Sequence, residues 1–151
     1  MNSRRTAEDA FQELAQTCEV AGPASDSDIT GAESRLGVVF PEEYRQFLRL
    51  CGAALVPGAQ IYGLVEPSRN DPPLWIDVRT VTELLRGWCQ AGTEEPGYLP
   101  ISDDGMGVYF YLDTTAAPNV EIWGIGPGVR TRISGGLYEF ALKLTKGQLI
   151  L

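Results

Sequence analysis

The side chains best suited to chemistry in this 151-residue sequence are carboxylates and aromatic rings. Asp103 and Asp104 stand just before Gly105 and Gly107. Asp113 closes the run Val108-Tyr109-Phe110-Tyr111-Leu112, and Glu121 lies shortly before Trp123. Carboxylates presented around a hairpin form charge-assisted hydrogen bonds to the arginines or lysines of a partner. A pair such as Asp113 and Glu121 is also the equipment of a glycosidase, but the sequence does not fix their separation and any acidic domain offers such pairs. The spacing of an EF-hand calcium loop is absent. Turn chemistry is a sufficient alternative for Asp104-Gly105 and Gly107, because Asp and Gly accept positive φ.

The sequence contains no histidine. Ser-His-Asp or Cys-His nucleophiles and histidine metal sites are therefore excluded, and acid–base work near neutral pH falls to a shifted carboxylate, Cys, Lys or Tyr. Cys18, Cys51 and Cys89 form no C-x-x-C pair. Each falls at an apolar position of a predicted helix and reads as a buried, reduced thiol. The stretch Gly124-Ile125-Gly126-Pro127-Gly128 is interrupted by proline, and no helix begins at once behind it as a dinucleotide site requires. It reads as a β-turn. No metal or cofactor is expected. Trp88 shares a helical stripe with Leu84, Leu85 and Cys89 and reads as core. Trp75, after the polar loop 66–73, and Trp123 are the candidate interface anchors.

Charge narrows the partner class. The net charge is −8 at pH 7, which argues against a phosphate backbone, since cation–phosphate contacts carry most nucleic-acid affinity. Between Gly87 and Val129 stand Glu94, Glu95, Asp103, Asp104, Asp113 and Glu121, with no lysine or arginine among them. The bland reading of such a stretch is solubility. The functional one is an anionic face that attracts a basic partner. The tail from Arg130 onward is net positive and could pair with this stretch, within the chain or between two copies.

The elements that must position these groups follow from periodicity. An amphipathic helix is expected from about Arg5 to Val20, with Phe11, Leu14, Ala15 and Cys18 on one face and Gly22-Pro23 ending it. Ser25 to Asp28 offer N-caps for a second helix carrying Ile29, Ala32 and Leu36, closed by Gly37 in a left-handed conformation. Pro41 opens a third, with Tyr44, Phe47, Leu48 and Cys51 as its stripe. Short strands are expected at Ile61–Leu64 and Leu74–Ile76, and a helix from Thr80 to Gln90. Four strands follow at 98–101, 108–112, 120–125 and 129–133, then a helix bearing Leu137, Phe140, Ala141 and Leu144. This order predicts an α+β domain with a mostly antiparallel central sheet flanked by about four to five helices. The N-terminus has no continuous apolar core after its arginines, so it does not read as a signal peptide, and no stretch is long enough to span a bilayer. A reducing cytoplasm is the expected location.

Two segments carry a resemblance. One runs Glu33 … Leu36-Gly37 … Phe40-Pro41 … Tyr44 … Phe47-Leu48 … Cys51-Gly52. The other runs Tyr98-Leu99-Pro100-Ile101 … Asp103-Asp104-Gly105 … Gly107 … Tyr109-Phe110-Tyr111-Leu112-Asp113. Together they resemble the SUKH superfamily, which includes fungal cell-wall regulators of the Smi/Knr type. Trp123 and the helix around Phe140 match its later elements. The likeness covers roughly residues 25–144 of a single 1–151 domain, with 1–24 as an N-terminal helix. Phe40 stands where Leu is usual, Cys51 where Asn is usual, and Val108 where an acid often follows the turn.

The resemblance implies an α+β fold and a non-enzymatic role. Its bacterial members resemble immunity proteins that neutralise polymorphic toxins, often nucleases. Its fungal members resemble signalling scaffolds. The expected partner is thus a basic toxin domain, bound through Trp75, Asp103, Asp104, Asp113, Glu121 and Trp123 by a monomer or weak homodimer that contacts neither nucleic acid nor membrane. The alternative is a sensor or scaffold domain binding a small ligand or signalling partner.

Overall fold

The structure, a computed structural model, describes residues 9, 12, 13, 16, 19–56, 59–65, 77–116 and 119–145. Asp9, Gln12, Glu13 and Gln16 are helical, as the N-terminal periodicity predicts, but the stripe residues Phe11, Leu14, Ala15 and Cys18 lie outside the described residues. The helix does not reach Val20. Glu19–Val20 is instead a short strand, β1, paired antiparallel with β2, Ala54–Val56. The β2 strand was not expected. It turns back into β3, Ala59–Ile61, so the strand anticipated at Ile61–Leu64 lies two residues earlier. The anticipated Leu74–Ile76 strand is outside the described residues.

Three local devices fix the helical layer. Ser25 caps α1, Asp26–Leu36, by accepting from the Asp28 amide, and Gly37 ends it at φ 74°. Pro41 sits one position before α2, Glu42–Leu50, rather than inside it; this extended cap residue loses no helical hydrogen bond. Asp77 caps α3, Val78–Gly87, through the Arg79 amide. The fourth helix, α4 at Leu137–Thr145, receives its cap from another element, since the Leu137 amide donates to the Glu43 carboxylate of α2. Burial raises the Glu43 pKa above its ordinary value, and this amide only partly opposes that.

The second sheet is a four-stranded antiparallel meander of β4 Tyr98–Asp103, β5 Tyr109–Asp113, β6 Ile122–Gly126 and β7 Val129–Ser134. The expected single central sheet is therefore two antiparallel sheets. They meet edge to edge, where the Tyr62 amide donates to the Ile101 carbonyl and the Ser102 hydroxyl to the Gln60 carbonyl. The α+β class stands. On the inner face of the meander, Leu99, Ile101, Phe110, Leu112 and Ile122 join the main core with Tyr44, Phe47, Leu85 and Phe140. Phe110 meets the Phe140 ring edge-on at 5.3 Å. Of the Gly124–Gly128 stretch, expected as a turn, Gly124–Gly126 end β6 and only Pro127-Gly128 form the turn into β7, with Gly128 at φ 73°.

The end of α3 departs from expectation. The helix stops at Gly87, so the stripe Val78, Val81, Thr82 and Leu85 does not continue into Trp88 and Cys89. Trp88 is 62% exposed rather than core, and Leu84 lies exposed one turn before it. Cys89 is an exposed free thiol at φ 55°, not a buried one, while Cys51 is buried. Among the described residues no helix is long and apolar enough to cross a membrane.

Candidate partner-binding surface

Alternation along β4–β7 sends a second set of side chains to the outer face. Directly paired residues share that face: Tyr98 with Asp113, Tyr111 with Trp123, Trp123 with Arg132, and Tyr109 with Ile125, itself opposite Arg130. None of Tyr111, Trp123 and Ile125 belongs to the main core, yet Tyr111 and Ile125 are buried. Residues 88–97, between α3 and β4, cover Tyr111. The Tyr111 hydroxyl donates to the Ala91 carbonyl, and Gly92, at φ 103°, lies so close to the Tyr111 ring that a Cβ would stand 2.5 Å from it. Further along, the Gly92 amide holds one oxygen of the Glu94 carboxylate, and the other pairs with Arg130 of β7. At its far end the Gly97 carbonyl accepts from the Thr114 amide and hydroxyl. We call this segment the strap.

The acids of the Gly87–Val129 stretch fall into two groups. Asp103 and Asp104 sit at the β4–β5 turn, and Asp113 sits at the other end of β5. The four steps from Tyr109 to Asp113 amount to about 13 Å at ~3.3 Å per residue. At the turn, Asp104 serves local structure, while Asp103 also reaches back 41 positions to Tyr62. Asp103 accepts from the Tyr62 hydroxyl and the Gly105 amide, and Asp104 from the Met106 and Val108 amides. The glycines there take φ of 76° and 103°. Turn chemistry thus accounts for Asp104 and the two glycines, and Asp103 adds a tie to Tyr62.

The other end is more diverse. The Asp113 amide donates to the Glu121 carbonyl, which brings the two residues side by side. Asp113 holds the Thr115 amide and hydroxyl, and Glu121 accepts from the Trp123 indole at 3.3 Å. Tyr98 stands among them, half-buried, its ring centroid 6.1 Å from that of Tyr111. Burial raises the Tyr98 pKa, the charges of Asp113, Glu95 and Glu121 add to the rise, and Arg130 opposes it. The Tyr98 amide also donates to the Glu95 carbonyl. Tyr111 is also raised, by burial first.

Of the expected site residues, then, Asp113, Glu121 and Trp123 come together, Asp103 and Asp104 lie apart from them, and Trp75 is outside the described residues. Tyr98, Glu94 and Arg130 were missed as site residues. Register could have found Tyr98, because an aromatic opening a strand faces the acid that closes the next. Nothing local could have found Arg130, which reaches Glu94 across 36 positions. Among the described residues no group of three potential metal ligands is gathered.

The sequence matches the SMI1 / KNR4 family (SUKH-1) over residues 23–143. The chain belongs to this family. No curated protein matches it significantly. The SUKH-1 pattern acquires a physical meaning in its first segment. Glu33 accepts from the Phe40 amide at 2.7 Å and from the Arg45 guanidinium, so one carboxylate ties α1, the linker and α2 together. Tyr44 is fully buried and donates to the Tyr62 carbonyl. Gly52, at φ 75°, and Gly63 allow two backbones to touch: a Cβ on Gly63 would stand 1.6 Å from the Gly52 oxygen. Of these, Glu33, Tyr44 and Gly52 belong to the family pattern, and they build the fold. Val108, at the position where an acid often stands in SUKH-1 proteins, is buried and joins the core.

Proposed function

We propose that this SUKH-1 protein binds a basic toxin domain and neutralises it stoichiometrically, in a bacterial cytoplasm and without turnover. The observation that carries the reading is the Asp113–Glu121 pair beside two aromatic rings: Tyr98 faces Asp113 across the strands, its amide donates to the Glu95 carbonyl, and Glu121 accepts from the Trp123 indole. Half-exposed aromatic rings beside carboxylates match a cationic surface, with charge accelerating encounter and buried ring area slowing release. Family membership and the acidic balance agree with it. The missing histidine is consistent with binding rather than catalysis.

The test is co-expression with the toxin encoded beside the gene, together with direct binding. Asp113→Lys with Glu121→Lys is expected to weaken binding by about 100-fold or more and abolish protection, with the folded far-UV spectrum retained. Asp103→Lys with Asp104→Lys is expected to weaken it far less. High-affinity binding that survives the first pair would overturn the acidic-surface mechanism.

A further inference from the structure

Arg130 occupies the ground that a cationic partner needs. Its guanidinium pairs with Glu94, and both side chains are about half exposed, at 46% and 54%. The acceptor is already set, because the Gly92 amide fixes the other Glu94 oxygen at 2.8 Å. The same guanidinium acts on the Tyr98 and Tyr111 hydroxyls, where it opposes the effect of burial and of the carboxylates. Arg130 is also the first cation after a stretch that has none. An exposed pair of this kind is close to neutral in stability, because each ion gives up water for little net gain. A second guanidinium can therefore take its place at small cost.

We propose that Arg130 is an internal occupant of the partner-binding surface, and that an arginine side chain of the partner replaces it on Glu94 beside the Tyr98 and Tyr111 rings. This rests on the cationic-partner reading above. It commits to arginine over lysine, because a planar fork bonds a carboxylate through two N–H groups and stacks on aromatic rings. It also means that the surface is partly self-blocked: apparent affinity is lowered by the fraction of molecules in which Arg130 holds Glu94.

Arg132 provides the control. It lies on the same strand and face, opposite Trp123, and is exposed. Among the described residues no carboxylate pairs with it. Removing either arginine changes the net charge equally, and only removal of Arg130 releases Glu94.

The experiment titrates a blocked hexa-arginine peptide, and separately hexa-lysine, into the full chain at low salt. Binding is read from the Trp123 indole N–H resonance, assigned with Trp123→Phe. Arg130→Gln is expected to tighten hexa-arginine binding about fivefold or more, while Arg132→Gln changes it less than about twofold. Glu94→Gln is expected to weaken it, and adding Arg130→Gln to Glu94→Gln is expected to give no further tightening. Equal tightening by the two arginine variants would reduce the effect to net charge and overturn the proposal. Weakening by Arg130→Gln would make the pair a latch for the strap, also overturning it. Hexa-lysine binding as tightly as hexa-arginine would overturn the choice of arginine. Loss of toxin protection is scored separately: a protein that neutralises its toxin but fails the arginine comparison loses only this inference, and the converse result loses only the toxin reading.

Discussion

Among the glutamates that accept an arginine, Glu33 and Glu94 do different work. Glu33 is 12% exposed, and besides Arg45 it takes the Phe40 amide, so its removal strands a backbone donor and a guanidinium. Glu94 is half exposed and holds Arg130 from an outer strand. The first contact joins three segments of the helical layer and has one available geometry. The second joins a strap to a sheet face that water already reaches. Identical pairing chemistry thus specifies the fold where solvent is excluded and stays exchangeable where it is not. The family's first motif belongs to the former region, and the surface proposed for partners belongs to the latter.

The contrast breaks most visibly at the glycines beneath the helical layer. Gly63→Ala would place a carbon 1.6 Å from the Gly52 carbonyl oxygen, a backbone atom with no rotamer to change. Its expected cost is about 3 kcal/mol or more, at the upper end of overpacking. The check is the urea midpoint, and a shift below about 1 kcal/mol would mean that the two backbones separate easily.

The glutamates test the contrast directly. Glu33→Gln is expected to destabilise by about 2 kcal/mol, since the charge-assisted bonds to Arg45 and the Phe40 amide are weakened together. Glu94→Gln in the same urea series is expected to leave the midpoint unchanged. Equal losses in the two variants would show that the strap is as much a part of the stable framework as the α1–α2 linker.

Much of this layout was legible before any coordinates, and what was not has physical reasons. The meander could be read because Leu99, Phe110, Leu112 and Ile122 alternate with polar or aromatic positions, a period-2 signal that tertiary contacts reinforced. Caps at Ser25 and Gly37 could be read because their chemistry is local. The β2 strand hid in Ala54-Leu55-Val56, too short to show a period. Trp88 misled because it continues a helical stripe by spacing, while the helix itself ends one residue earlier. Asp103 and Asp113 stand at opposite ends of the β4–β5 hairpin, a separation their spacing does not show. Proximity along a hairpin sequence places its two ends far apart unless both residues sit at the turn. The strap's link from Glu94 to Arg130 spans four elements, and no pattern within one element encodes such a contact.

The finest test of the contrast uses pH. Asp77 lies between the two regions in character: its side chain is 17% exposed and it pairs with Arg79 two positions away. Burial works against its ionisation, but hydrogen bonds from the Arg79 guanidinium and from the Val65 and Arg79 amides prevail, so its folded pKa lies below the ordinary value. A carboxylate with a depressed folded pKa adds stability that is present above the unfolded value and disappears as pH falls through the folded one. Asparagine keeps the capping geometry and removes the charge. At neutral pH, Asp77→Asn is therefore expected to be less stable than the parent by about 1 kcal/mol, a charge-assisted contribution reduced by the partial exposure of Arg79. The gap is expected to hold from pH 8 to pH 6, both far above the unfolded value, and to close below about pH 4 as the parent's carboxylate takes up a proton. Paired urea titrations across that range measure it. A gap that did not narrow at all between pH 6 and pH 3 would assign the loss to altered cap geometry, and Asp77 would then act on α3 as Glu33 acts on the linker, through shape as well as charge.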